Sequence, residues 1–166
     1  MSRGLKRLSR LNLSKGIPAL LQQNIPFQEK LEALEKYMEG CAPIEIEHPN
    51  VLRSGPLFYK DMVMPKGTVL IGRVHKYPHM TLLIDGAVVV WSSDTGLRYF
   101  DRYSANLCEP GTQRLFYAIE DTVWANIHHL DIDVHEAHAT EFLTSCNSQA
   151  YLEFRERYVL GLPQTS

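Results

Sequence analysis

Residues 65–91 read PKGTVLIGRVHKYPHMTLLIDGAVVVW, and this stretch decides the fold. Three short β-rich runs, Val69–Val74, Met80–Ile84 and Ala87–Trp91, are set apart by Pro65-Lys66-Gly67, by a bend at Tyr77-Pro78 and by Asp85-Gly86. The runs continue as Gln113–Ile119 and Thr122–Ile127, with Asp94-Thr95-Gly96, Glu109-Pro110-Gly111 and Glu120-Asp121 as further punctuation. Short strands between Gly and Pro turns predict a sandwich or a barrel. An Asp-Gly pair between two apolar runs predicts a β-hairpin at 85–86. Strand alternation predicts that Val69, Ile71, Leu82, Ile84, Val88, Val90, Phe116, Val123 and Ile127 are mostly buried.

On either side the period changes to that of a helix. Phe27, Leu31, Leu34, Tyr37 and Met38 recur at helical spacing and Gly40 ends the pattern, which predicts an amphipathic helix packed on the barrel. After His129, Asp131 or Asp133 is placed to cap a helix containing Ala137, Phe142 and Leu143, and Tyr151–Leu160 reads as a second helix stopped by Gly161 and Pro163. The first 28 residues hold no acid but carry Arg3, Lys6, Arg7, Arg10 and Lys15. They read as a loosely docked basic arm, as an arm that meets nucleic acid or a partner, or as a targeting peptide. The expected organisation is a basic arm over 1–26, a helix and connecting segment over 27–56, a β-barrel over 57–130 and a helical extension over 131–166.

A chain of 166 residues with a formal net charge of −2 suits one domain and argues against binding nucleic acid along its whole surface. Cys41, Cys108 and Cys146 are scattered and odd in number, as reduced intracellular thiols are, so a cytoplasmic location is expected. No apolar run approaches the roughly 18 residues of a membrane span. No apolar stretch of secretory type opens the chain, so no secretory signal is expected.

The chemistry-bearing stretch is Gly72-Arg73-Val74-His75-Lys76-Tyr77-Pro78-His79 with Gly86 beyond it. It resembles the first cupin motif, in which two histidines and a glutamate lead into a glycine; Arg73 stands at the first histidine, His75 at the second and His79 at the glutamate. Glu109-Pro110-Gly111-Thr112-Gln113-Arg114 resembles the second motif, with Arg114 in place of its histidine. The blocks from Pro65-Lys66-Gly67-Thr68-Val69-Leu70 to Tyr117-Ala118-Ile119-Glu120-Asp121-Thr122-Val123-Trp124 and Ile127-His128 are together similar to small cupin-like proteins of tailed bacteriophages and prophages, most of unassigned function. The resemblance implies a mainly β, cupin-like jelly-roll (double-stranded β-helix) barrel with flanking N- and C-terminal α-helices. It does not imply a reaction, because fold does not fix chemistry.

His128 is the candidate third ligand beside His75 and His79. Its direction is tied to the turn at Glu120-Asp121: a two-residue loop would set Arg114 against Ile127, and a three-residue loop would bring His128 opposite Arg114 and inward. Three inward imidazoles suit iron, manganese, zinc or nickel, with identity open, and leave coordination positions free. The alternative is a polar pocket without metal, in which the histidines hold an anion or satisfy one another. Arg73 and Arg114 suit a carboxylate or phosphate ligand, or pair with acids such as Asp85 or Glu109. His135 and His138, three apart on a helix, lack an evident third ligand.

Two function classes follow. One is a phage-encoded metal-binding barrel that binds or transforms a small anionic molecule. The other is a non-enzymatic protein that uses the barrel as a scaffold to meet a host or virion component. A homodimer is expected because open sheet edges need cover, with Cys41–Tyr59 as the segment that would cross to the partner.

Overall fold

The computed structural model describes residues 23–159, with side chains to Arg157. The basic residues of the arm, Arg3 to Lys15, lie outside the described residues. The predicted first helix is α1, Phe27–Met38.

Eleven strands follow among the described residues: β1 Val51–Ser54, β2 Leu57–Met64, β3 Val69–Ile71, β4 Val74–His75, β5 His79–Asp85, β6 Ala87–Ser92, β7 Gly96–Asp101, β8 Ser104–Cys108, β9 Arg114–Ala118, β10 Thr122–His129 and β11 Thr144–Ser145. They form a five-stranded sheet, β1-β2-β10-β5-β8, a four-stranded sheet, β3-β9-β6-β7, and the small pair β11-β4. All ladders are antiparallel. From β2 onward the chain crosses from one large sheet to the other at almost every connection; only β6 and β7 are successive neighbours. This path is a jelly roll. The fold class read from the sequence, a mainly β jelly-roll barrel with flanking helices, is the one observed.

The same topology corrects two turn readings. Asp85-Gly86 does not close a hairpin, because β5 pairs with β10 and β8 while β6 pairs with β7 and β9. Glu120-Asp121 likewise links β9 and β10 across the two sheets. The two crossovers lie against each other. The Ala87 carbonyl accepts from Ile119 N (2.9 Å), Glu120 N (3.2 Å) and Thr122 Oγ1 (3.0 Å). Gly86, at φ +85°, leaves no space for a Cβ, which would stand 2.1 Å from the Asp121 carbonyl oxygen. A local Asp-Gly signal reports a tight reversal of direction, and the sheet to which each arm belongs is settled by packing.

Met64, Leu83 and Trp124 of the five-stranded sheet meet Val88, Val90, Phe100, Phe116 and Ala118 of the other in one buried core. Helix α1 covers the outer face of the four-stranded sheet, where Leu31 and Leu34 pack on Val89 and Leu115, flanked by Val69 and Ile71. Of the nine residues expected to be mostly buried, Val88, Val90 and Phe116 are fully so. Val69, Ile71, Leu82, Val123 and Ile127 are half-buried. Ile84 is 39 % exposed, because it faces outward from the five-stranded sheet, which α1 does not cover.

Past His129 the expected helix cap at Asp131 or Asp133 is not used. A 3-10 turn, Glu136–His138, begins where His135 Nδ1 accepts from Ala137 N, and it runs into α2, Ala139–Leu143. The next helix, α3, Ser148–Phe154, is capped by Asn147 and continues as a π turn over Arg155–Val159. Leu143 and Ala139 pack on Phe58 and Leu130, which seats α2 beside the end of β2 and β10. The connecting segment does not leave the domain at its C-terminal half. Glu47 bridges to Val63, and Asp61 N donates to the Asn50 carbonyl, so it runs along its own β2. Among the described residues no helix is long and apolar enough to cross a membrane.

Candidate metal centre

Side chains on one face of a sheet form rows across neighbouring strands. On the inner face of the five-stranded sheet, register sets Phe58, His128, His79 and Cys108 in one row. The next row in is Lys60, Asn126, Thr81 and Asn106, and the third is Met62, Trp124, Leu83 and Ser104. Across the barrel, Ala118, Val88 and Phe100 form an apolar row, followed by Phe116, Val90 and Arg98 and then by Arg114 and Ser92. The barrel is therefore apolar at one end and polar at the other, and the histidines sit at the polar end.

His75 joins from β4, which is held by β11 (His75 opposite Thr144) and by the Gly111 N donation to the His75 carbonyl (2.8 Å). The bend at Tyr77-Pro78 then brings His79 in as the first residue of β5. Ring centroids lie 4.0 Å apart for His75 and His79, 4.6 Å for His79 and His128 and 5.1 Å for His75 and His128. One ring nitrogen from each falls within 4.8 Å of the others. The three residues singled out from the sequence thus converge. His128 turns inward because β10 pairs with β5 and β2; β9 and β10 do not pair, so the length of the Glu120-Asp121 loop does not set its direction.

The protonation state suits ligation. Burial, with His79, His128 and Arg114 as lesser causes, pushes His75 down to about 2. Burial and then His128 and Arg114 push His79 down to about 3, against a small opposing effect of the Tyr77 carbonyl. Burial lowers His128 to about 4. All three are neutral at pH 7 and offer lone pairs. His79 Nδ1 lies 3.3 Å from the Tyr77 carbonyl, which can only accept, so the proton belongs on Nδ1 and Nε2 is bare. His75 Nδ1, His79 Nε2 and His128 Nδ1 are buried without any hydrogen-bond partner. Buried polar atoms are ordinarily paired. A buried ring nitrogen without a partner on each of the three clustered histidines suits a metal-ligating role.

Arg114 is half-buried within the barrel, and its guanidinium donates to the Cys108 thiol. Arg73 stands exposed at the mouth, where its Nε donates to Thr144 Oγ1 (2.7 Å). Both line the cavity of about 280 Å³ that His75 and His128 also border. Neither arginine has a carboxylate within ion-pair distance among the described residues; Asp85 pairs instead with Arg102 (2.8 Å). His135 and His138 are exposed and join no metal-ligating group among the described residues. The three cysteines are free thiols, Cys108 buried and Cys41 and Cys146 exposed.

Sequence reasoning missed Lys60, Asn126 and Asn106. The signal for Lys60 was present: in Phe58, Lys60, Met62, Met64 the period-2 inward set of β2 contains one charge. Asn126 and Asn106 carry little local signal, and only register places them beneath the histidines.

No family model and no curated protein sequence matches the chain. Among solved structures, an RmlC-like cupin family protein with a double-stranded β-helix fold from Methanocaldococcus jannaschii is similar at 9% identity and a TM-score of 0.45, over 54% of this chain and 84% of that one. KdgF from Halomonas sp. is similar at 16% identity and 0.45, over 53% and 85%. Cobalt(II) HppE in complex with Tris buffer is similar at 10% identity and 0.42, over 54% and 57%. The jelly-roll assignment rests on the strand orders of the two sheets and not on these likenesses, and the site on its own geometry: this chain is a jelly-roll protein whose barrel mouth holds a three-histidine cluster that could hold a metal ion.

Proposed function

We propose that the chain binds one divalent metal ion through His75, His79 and His128 and holds a small anionic ligand beside it, with Arg114 inside the barrel and Arg73 at the mouth. The single observation that carries this reading is the cluster of three histidines that each bring one ring nitrogen within 4.8 Å of the others. Three imidazoles leave coordination positions for water or a ligand. A bound ion would act there as a Lewis acid. The test is metal stoichiometry. Full-length protein stripped with chelator and equilibrated with Co(II) or Zn(II) should retain one ion per chain, and the triple alanine variant at these positions should retain none. Equal retention by both would overturn the reading.

A second reading, a non-enzymatic scaffold for a host or virion component or for a second copy, draws on the outer face of the five-stranded sheet. Met80 and Ile84 are more than a third exposed, and Leu107 on the edge strand β8 is 82 % exposed. We place the homodimer contact on that face and edge. The similarity of the segment from Pro65 to Leu130 to phage proteins is what suggests a phage origin and a host-cell cytoplasmic setting.

A further inference from the structure

The cavity under the histidines has a strong imbalance of charge. Its volume is about 280 Å³. Lys60, Arg73 and Arg114 line it, against a single acid, Asp61. That acid is already engaged. It belongs to the opposite face of β2, where Oδ1 accepts from Asn50 N (2.9 Å) and Oδ2 from Asn50 Nδ2 (2.7 Å) and Tyr59 Oη (3.2 Å). Asp94 feels the field of Arg114 from an adjoining cavity of about 50 Å³ that Arg114 also lines, and it is held by Ser92 and by Thr112 Oγ1 (3.4 Å). Lys60 has no hydrogen-bond or ion-pair partner among the described residues.

Neutral histidines bring no negative charge to a metal ion. A divalent ion beside Lys60 and Arg114 would therefore leave several positive charges in a partly dry cavity, and buried charge without a partner is costly. Apolar walls from Phe116, Trp124 and Leu143 offer no relief to the charge but suit a short carbon skeleton. We infer that the ligand of this site is a small dianionic oxyacid, a dicarboxylate or a phosphate monoester, with one charge at Lys60 and the other at the ion beside Arg114. The inference rests on the metal reading above and adds the ligand's class and Lys60 as its anchor. Arginine and lysine differ here: the fork of Arg114 suits a fixed oxyanion, whereas Lys60 supplies a point charge on a flexible stem.

Calorimetry on the full chain loaded with Co(II) tests this, with succinate, inorganic phosphate and propionate as probes at pH 7.5. One of the dianions should bind at least about tenfold more tightly than propionate, or about 1.4 kcal/mol. Lys60→Met should abolish that preference without weakening Co(II) binding, and Lys60→Arg should keep it. Tighter succinate assigns a dicarboxylate, and tighter phosphate a phosphate monoester. Propionate binding as well as both dianions, or a preference that survives Lys60→Met, would overturn the inference while leaving the metal site standing. If Lys60→Met does not fold, the wild-type and Lys60→Arg titrations decide alone. Failure of the wild type to take up Co(II) would overturn the metal reading, and this inference with it.

Discussion

His128 stands directly opposite His79 across the β10–β5 ladder, with ring centroids 4.6 Å apart and ring planes 16° from parallel. Two imidazoles so placed, with His75 completing the group, cannot all accept protons without crowding like charge in a buried site. Their neutrality is a property of the fold, and it has a consequence for stability.

The metal-free protein should lose stability as the pH falls below about 6.5. The folded-state pKa values of His75, His79 and His128 are lowered to about 2, 3 and 4, whereas the unfolded chain titrates near 6.5. The unfolded state therefore binds more protons throughout that window, and stability is full above 6.5 and lost as the pH drops through it. Three groups give a slope of at most about 4 kcal/mol per pH unit. Denaturant melts between pH 7.5 and 5, above most carboxylate titration, measure it. A slope unchanged by His→Gln substitution at all three positions would contradict it.

Metal should raise the melting temperature of the protein at pH 7.5. A ligand that binds only the folded state at about 100 times its Kd adds about 2.7 kcal/mol. For a chain of this size that is roughly 5–10 °C. Scanning calorimetry with and without Zn(II) reads the shift, which should vanish in the triple alanine variant.

Gly86→Ala should cost more than about 2 kcal/mol, well beyond an ordinary surface change. The added Cβ meets the Asp121 carbonyl at 2.1 Å in a backbone conformation of φ +85°. Relief requires the two sheet-to-sheet crossovers to separate, which would break the bonds that the Ala87 carbonyl accepts. Chemical denaturation gives the value; a loss below 0.5 kcal/mol would show that the crossovers are not coupled.

The strands are legible in the sequence because Gly, Pro and Asp mark where the chain reverses, and His75 and His79 are legible because a short bend separates them. Asp85-Gly86 and Glu120-Asp121 mislead because a turn's chemistry specifies a reversal of direction but not which sheet receives the outgoing strand. That choice is made by long-range pairing, as in His128 with His79 and Arg114 with Ser92. Ile84 was expected inside for the same reason: alternation gives two faces and does not say which is covered. Lys60 and Asn126 become meaningful only once β2 and β10 are adjacent.

In solution the chain should sediment at about twice its 19.0 kDa mass at micromolar concentration. Leu107→Lys, on the exposed face of β8, should shift it to the monomer without unfolding it. A wild type that is wholly monomeric would contradict the homodimer.

The metal site itself is tested most directly by titrating Co(II) into the full-length apo protein at pH 7.5 and pH 5.5, with the His75→Ala, His79→Ala, His128→Ala triple variant alongside. The account predicts one site per chain at pH 7.5 that is absent from the triple variant. It also predicts binding that persists at pH 5.5, because the folded histidines remain neutral well below 6.5. No binding at pH 7.5, or equal binding by the triple variant, would contradict it.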